Sequence, residues 1–88
     1  MINKPNEQVL QFPLMCHFRV ITDNLDNMHF VIETVLLELG ITSPVEKMNT
    51  SEGGKYISFN ISTMVESQEK MSKIDQELRL IQGVKMVM

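Results

Sequence analysis

Residues 55–64 have the sequence KYISFNISTM, in which apolar and polar side chains alternate at the two-residue period of a β-strand. One face of this strand is apolar and consists of Ile57, Phe59 and Ile61. The other face carries the hydroxyl and amide groups of Ser58, Asn60 and Ser62. Because such a strand must lie on a hydrophobic layer with its far face in water, the flanking sequence is expected to supply that layer.

The composition predicts one soluble domain. The chain has 88 residues, of which 43% are hydrophobic and 22% charged, and its net charge is -3. A negative chain lacks the basic surface that nucleic-acid binding needs. We expect a mobile arm at residues 1–8, which are polar and contain Pro5, followed by a single domain at residues 9–88.

The cysteine content indicates the cellular compartment, and the methionine content indicates how the core is filled. The single cysteine, Cys16, permits no intrachain disulfide, and no segment resembles a signal peptide or a membrane span of about 20 apolar residues. We therefore expect a cytoplasmic protein. The eight methionines are interpreted mainly as core fillers, although methionine is also frequent at adaptable binding surfaces.

The first strand is predicted at residues 14–21, after Pro13, which forbids a helix there. Strand alternation divides its side chains between two faces. The inward set is Leu14, Cys16, Phe18 and Val20. The outward set is Met15, His17, Arg19 and Ile21.

The first helix is predicted to begin at an N-cap provided by Asp23 or Asn24 and to end at Gly40. Its apolar residues recur at spacings of three, four and seven, which is typical of one buried helical face. This set is Leu25, Met28, Ile32, Val35, Leu36 and Leu39. Ile41 is expected to fold back on the end of the helix.

The second half of the chain predicts a charged edge strand at residues 45–50, a glycine loop at 51–54 and the alternating strand at 55–64. A second helix at 68–82 is capped by Ser67 and stopped by Gly83. The last strand, at 84–88, is expected to turn Val84, Met86 and Met88 inward and Lys85 and Val87 outward.

The resulting order is β-α-β-β-α-β, which predicts an α+β ferredoxin-like sandwich. Its four-stranded antiparallel sheet has the order 4-1-3-2, and both helices cover one face. This arrangement places the alternating strand in the centre and the charged strand at an edge.

The chain resembles the YbeD-like family of small bacterial uncharacterised proteins, over residues 10–88. The resemblance depends on LQFP at 10–13, FRV at 18–20, the loop at 51–56 leading into SFNI at 58–61, and GVKMV at 83–87. The chain departs from the family in a longer amino-terminal arm and at residues 23–27. The resemblance implies an ACT-like ferredoxin fold and a free-standing cytoplasmic protein with no catalytic residues. It also implies a genetic association with lipoate attachment.

Three kinds of site were compared with the sequence and disfavoured. Met15, Cys16 and His17 include soft metal ligands, but strand alternation sends Cys16 to the opposite face from the other two. RNA-recognition modules need aromatic residues on the open face of both central strands, and only Tyr56 is available. An acylphosphatase-type site needs an arginine in the loop after the first strand, and residues 22–26 contain none. We therefore expect no metal, no cofactor and no enzyme activity.

The predicted open face of the sheet is the candidate interaction surface, because it mixes apolar, aromatic and cationic groups. Its predicted members are Met15, His17, Arg19, Ile21, Tyr56, Ser58, Asn60, Lys85 and Val87, with Ser62 beside them. The alternative is a merely solvated sheet face with no partner.

These observations favour a non-catalytic binding or regulatory module that contacts a protein or a small ligand. The alternative is a small-molecule enzyme or an accessory protein linked to lipoate metabolism. A second candidate contact is the edge of the last strand, which has one charge and no proline between residues 84 and 88. Pairing along this edge would produce a weak homodimer or dock a partner by strand addition.

Overall fold

The structure is a computed structural model and describes residues 11–88. The predicted arm at residues 1–8, and Val9 and Leu10 of the predicted domain, lie outside the described residues. The elements in chain order are β1 (Leu14–Asp23), α1 (Met28–Glu38), β2 (Val45–Thr50), β3 (Tyr56–Val65), α2 (Gln68–Arg79) and β4 (Val84–Val87). A short 3-10 turn at Glu52–Gly54 joins β2 to β3.

The four strands form one antiparallel sheet in the order β2-β3-β1-β4, with the helices α1 and α2 on one face. The predicted fold class and strand order are confirmed. Strands β1 and β3 pair along their whole lengths, so that His17 lies opposite Ser62 and Arg19 opposite Asn60. This register brings the outward side chains of the two central strands together.

The core lies between the sheet and the helices, and the alternation in β1 and β3 correctly predicted most of it. The buried members of these two strands are Cys16, Phe18, Val20, Thr22, Ile57, Phe59, Ile61, Thr63 and Val65. Helix residues Met28, Ile32, Leu36, Ile74 and Leu78 close the core from the other side. The central strands are therefore buried on the face that the helices cover and open on the other face.

The predicted start of α1 was wrong, because the helix begins at Met28 and not after Asp23 or Asn24. Strand β1 continues to Asp23, whose backbone N–H donates to the carbonyl of Gly83. The Asn24 side chain donates to the carbonyl of Gly54, 2.7 Å away, and so holds the turn against the β2–β3 loop. These tertiary contacts use the residues that capping rules had assigned to the helix, and Leu25 stays 46% exposed.

The ends of the helices follow local chemistry more closely. Gly40 has a φ of 80°, and the backbone N–H of Ile41 donates to the carbonyl of Leu36 at 2.8 Å, as predicted for this end of α1. Ser67 caps α2 by accepting a hydrogen bond from the backbone N–H of Lys70. Helix α2 ends at Arg79, before the predicted residue 82, and Gly83 instead forms the turn into β4.

The predicted faces of β4 were correct for Lys85, which is exposed, and wrong from Met86 onward. Thr22 pairs with Val84 and Ile21 with Met86, so Lys85 is an extra residue that forms a β-bulge. The bulge shifts the alternation by one residue, and Val87 becomes buried, with 3% of its surface exposed, whereas Met86 and Met88 are exposed. Simple two-residue periodicity misses an insertion of this kind.

Candidate functional site

The sheet face opposite the two helices, here called the open sheet face, carries the outward side chains of β1 and β3. Its cross-strand pairs are Met15 with Met64, His17 with Ser62, Arg19 with Asn60, Ile21 with Ser58 and Asp23 with Tyr56. Met86 lies beside Ile21 on the other side of β1. Met88 forms two backbone hydrogen bonds of 2.9 Å with Arg19 and extends the same face.

The centre of the open sheet face is polar. His17 Nδ1 and Ser62 Oγ form a hydrogen bond of 2.7 Å, and Arg19 Nε donates a long hydrogen bond of 3.5 Å to Asn60 Oδ1. These four side chains line a shallow depression of about 330 Å³, to which Met88 also contributes. Neighbouring side chains therefore orient both the imidazole and the guanidinium on an open surface.

Methionines flank this polar centre at the Met15–Met64 end and along its β4 side. Met15, Met64, Met86 and Met88 have 47%, 55%, 49% and 57% of their surfaces exposed. The interpretation of the methionines as core fillers is wrong for these four and for Met48, and it holds for buried Met28. Flexible, polarizable thioethers on an open surface can adapt their shape to an apolar partner.

The charges of the open sheet face are sparse. Asp23 and Lys85 form an ion pair of 3.6 Å at one corner, and Glu46 of edge strand β2 lies opposite Asn60. Within residues 11–88, Arg19 makes no ion pair. The central strands consequently present one guanidinium without a carboxylate partner among the described residues.

Most of the sequence-predicted surface residues share this face, as alternation required. Val87 does not belong to it, because the bulge at Lys85 turns its side chain into the core. The prediction missed Met64, Met86 and Met88. Met64 continues the outward set of β3 after Ser62, so an extended alternation would have found it, whereas the bulge hid Met86 and Met88.

The edge of β4 is better protected than predicted. Because Met88 directs its backbone groups toward Arg19, the carbonyl of Val87 points away from the sheet. Arg79 Nη2 donates to this carbonyl at 2.8 Å, and the Lys85 bulge interrupts the strand. A bulge and a covering cation both discourage pairing with another chain. The edge that the sequence predicts to be open is therefore covered at Val87.

The candidate metal ligands of β1 and the histidine of α1 do not form a chemical site among the described residues. Cys16 is buried, whereas Met15 and His17 are exposed on the opposite face. Among residues 11–88 there is no cluster of three or more His, Cys, Asp or Glu side chains that could hold a metal ion. On α1, His29 Nε2 lies 2.6 Å from the carbonyl of Val45 and 3.6 Å from a carboxylate oxygen of Glu33. His29 thus ties α1 to the start of β2.

Native labelling of Cys16 should be slow, because burial raises the pKa of its thiol and less thiolate forms at a given pH. Between a pH of about 7 and 9, a thiol reagent should react faster in denaturant than with the native protein. The neutral thiol of Cys16 contributes stability that is fully present at pH values below the unfolded-state pKa of Cys16. This stability is lost as the pH rises through the folded-state pKa.

A single-cysteine control is available on the adjacent residue. Met15→Cys in a Cys16→Ser background places the thiol on the open sheet face, where it should react rapidly without denaturant. Equal native rates for the wild type and this variant would contradict the buried position of Cys16.

Comparisons with known proteins agree with the geometry. The fold is that of an ACT-like, ferredoxin-like domain. The ACT domain from GTP pyrophosphokinase of Chlorobium tepidum superposes with a TM-score of 0.62 at 17% identity, covering 84% of this chain and 94% of that chain. At this identity the similarity shows the fold alone.

The chain belongs to the family described as protein of unknown function (DUF493), whose model matches residues 7–88. It is 34% identical to a UPF0250 protein of Shewanella frigidimarina over 88 residues, the full length of both chains. The solution structure of protein HP0495 from H. pylori has a TM-score of 0.83 and 23% identity, covering all of this chain and 94% of that one. Neither helix in residues 11–88 has the length and apolar character needed to cross a membrane.

Proposed function

We propose that this protein is a non-catalytic regulatory module of the bacterial cytoplasm that binds a protein partner through the open sheet face. The observation that carries the proposal is the group of four exposed methionines that flank an ordered polar centre at one end and on its β4 side. Exposed methionines beside a small number of oriented polar groups are suited to recognition, because the methionines supply adaptable contact area and the polar groups supply specificity.

The fold supports the same proposal. ACT-like neighbours include a domain of GTP pyrophosphokinase, in which the module is part of a larger protein. In the present chain both helices lie on one face of the sheet, and the other face is open within residues 11–88. A partner on the open sheet face would cover the second side of the sheet and bury its methionines.

The proposal is tested by partner capture with matched variants. The wild type, Met64→Ser with Met88→Ser, and the control Leu80→Ser are used to capture proteins from the source cytosol, followed by quantitative mass spectrometry. Leu80 is 70% exposed directly after the end of α2, away from the open sheet face. We expect the methionine variant to lose a specific partner that the wild type and Leu80→Ser retain. Equal capture by all three proteins would contradict the proposal.

The alternative of a small-molecule enzyme or a lipoate-linked accessory protein is tested separately. The protein is incubated with amino acids, lipoate and nucleotides while its melting temperature is measured, and the compounds are then analysed by mass spectrometry. A compound that raises the melting temperature and is chemically changed would favour the enzyme.

Sedimentation of the wild type, Met64→Ser with Met88→Ser, and Leu80→Ser tests the predicted weak homodimer. The homodimer should be lost in the methionine variant if it uses the open sheet face.

A further inference from the structure

The guanidinium of Arg19 is arranged to receive an anion. Its Nε is used by Asn60, which leaves the four N–H groups of the two Nη atoms for another ligand. His17 is held in the same way, because its Nδ1 contacts Ser62 and its Nε2 lies on the other side of the ring. When the Ser62 hydroxyl donates to Nδ1, Nε2 carries the proton and donates outward. His17 and Arg19, which are neighbours on the outward face of β1, thus both offer hydrogen-bond donors to the same depression.

We propose that the open sheet face binds one helix of a protein partner, apolar on its contact side, whose central carboxylate is held by Arg19 and His17. This inference rests on the proposed function and specifies the partner. A single guanidinium matches the single charge of a carboxylate, and the planar fork of arginine pairs well with two carboxylate oxygens. A phosphate of nearly two charges would meet Arg19, which has no ion-pair partner among residues 11–88, on a chain of net charge -3, and this disfavours phosphate.

The size of the surface fits a helix. Met15 and Ile21 are six residues apart on β1, which corresponds to about 20 Å at roughly 3.3 Å per residue. A helix of about 13 residues has the same length, and its diameter of about 10 Å matches the distance across the three strands β4, β1 and β3. The methionines then contact the apolar side of the helix, while the central carboxylate reaches Arg19.

The sheet geometry favours the same occupant. Helices α1 and α2 cover one face only, and a third helix on the open sheet face would complete the layered arrangement of helices on both sides of a sheet. Among residues 11–88, the acidic groups of this face do not occupy the position proposed for the partner carboxylate, since Asp23 pairs with Lys85 and Glu46 lies on edge strand β2.

The experiment is a selection of helical peptides on the full chain. A displayed library has an alanine-rich helical frame of about 14 residues with one randomised side, and the protein is immobilised through its amino terminus. We expect selected peptides to combine apolar residues with one central Asp or Glu. The affinity of the best peptide is then measured by fluorescence anisotropy, with the acidic residue and with its amide counterpart.

The two forms of the peptide are compared on three proteins. On the wild type, the amide form should bind about tenfold more weakly, as expected for losing one charged hydrogen-bonded pair. On Arg19→Gln the two forms should differ by less than about twofold. Lys85→Gln is the matched control, because it removes a cation that already pairs with Asp23. On this variant the affinities of the two peptide forms should still differ by about tenfold.

The outcomes separate this inference from the proposed function. Selected peptides without an acidic residue, or discrimination that persists on Arg19→Gln, would overturn the carboxylate contact. If such peptides still lost affinity on Met64→Ser with Met88→Ser, the open sheet face would remain the binding surface. Failure to select any peptide would overturn the helix as the occupant and leave the proposed function to the capture experiment, whereas NMR shifts confined to Phe30 and Leu37 on α1 would overturn both.

Discussion

Val87→Lys should destabilise the protein by about 3 kcal/mol or more, which makes it one of the two most damaging substitutions considered. Val87 is 3% exposed and packs in the core opposite Val20. The substitution removes the burial of a valine, worth about 1.5 to 3 kcal/mol, and brings a charge against apolar surface. For a domain of 88 residues, whose total stability is about 4 to 13 kcal/mol, the melting temperature should fall by about 10 to 20 °C.

The matched control is Met86→Lys, one residue earlier. Met86 is 49% exposed on the open sheet face, so a lysine there reaches water and the free energy of unfolding should change by less than about 0.5 kcal/mol. Thermal and chemical unfolding of the two variants measure the difference directly. If Met86→Lys were the damaging substitution, β4 would follow uninterrupted alternation and the bulge at Lys85 would be refuted.

Leu36→Ala should lower the free energy of unfolding by about 2 to 5 kcal/mol, because it opens a cavity in the centre of the core. Leu36 is 1% exposed on the inward side of α1, and its carbonyl also accepts the backbone hydrogen bond of Ile41. The substitution keeps a good helix former, so the loss reflects packing and not helix propensity. Urea unfolding with a shared denaturant slope is the appropriate measurement.

Leu37→Ala supplies the control, since it makes the same chemical change at the next residue. Leu37 is 59% exposed, and its replacement should alter the free energy of unfolding by no more than about 0.5 kcal/mol. Similar losses for the two variants would mean that α1 is buried on both sides in solution. Phe30, which is 69% exposed on α1, would then be expected to lie in the same contact.

The contrast between Leu36 and Leu37 shows why α1 was harder to predict than β3. Apolar residues lie on both sides of this helix, including exposed Phe30 and Leu37. Helical spacing identified the inward set at Met28, Ile32 and Leu36, but it also included Leu25, which precedes the helix. Periodicity alone does not show which apolar residues a neighbouring element will cover.

The candidate interaction surface was predicted in part. The outward positions of His17, Arg19 and Asn60 follow from alternation, since each residue of a regular strand faces opposite to its neighbours. Their pairing across β1 and β3 requires a register, which depends on how the whole sheet assembles. The grouping of the four exposed methionines required the register and the bulge together, because Met86 and Met88 reach the open sheet face only through the extra residue at Lys85.

The sequence by itself determined the β-α-β-β-α-β order, the sheet order and the inward residues of β1 and β3, because these depend on hydrophobic period and on short-range turn and cap chemistry. Tertiary structure decided the start of α1, where the Asn24 side chain donates to the Gly54 carbonyl and does not cap a helix by accepting from its backbone N–H groups. It also decided the faces of β4 and the cover that Arg79 provides for the Val87 carbonyl. The physical reason is the same in each case, since a contact between residues distant in sequence outweighs a local preference worth about 1 kcal/mol or less.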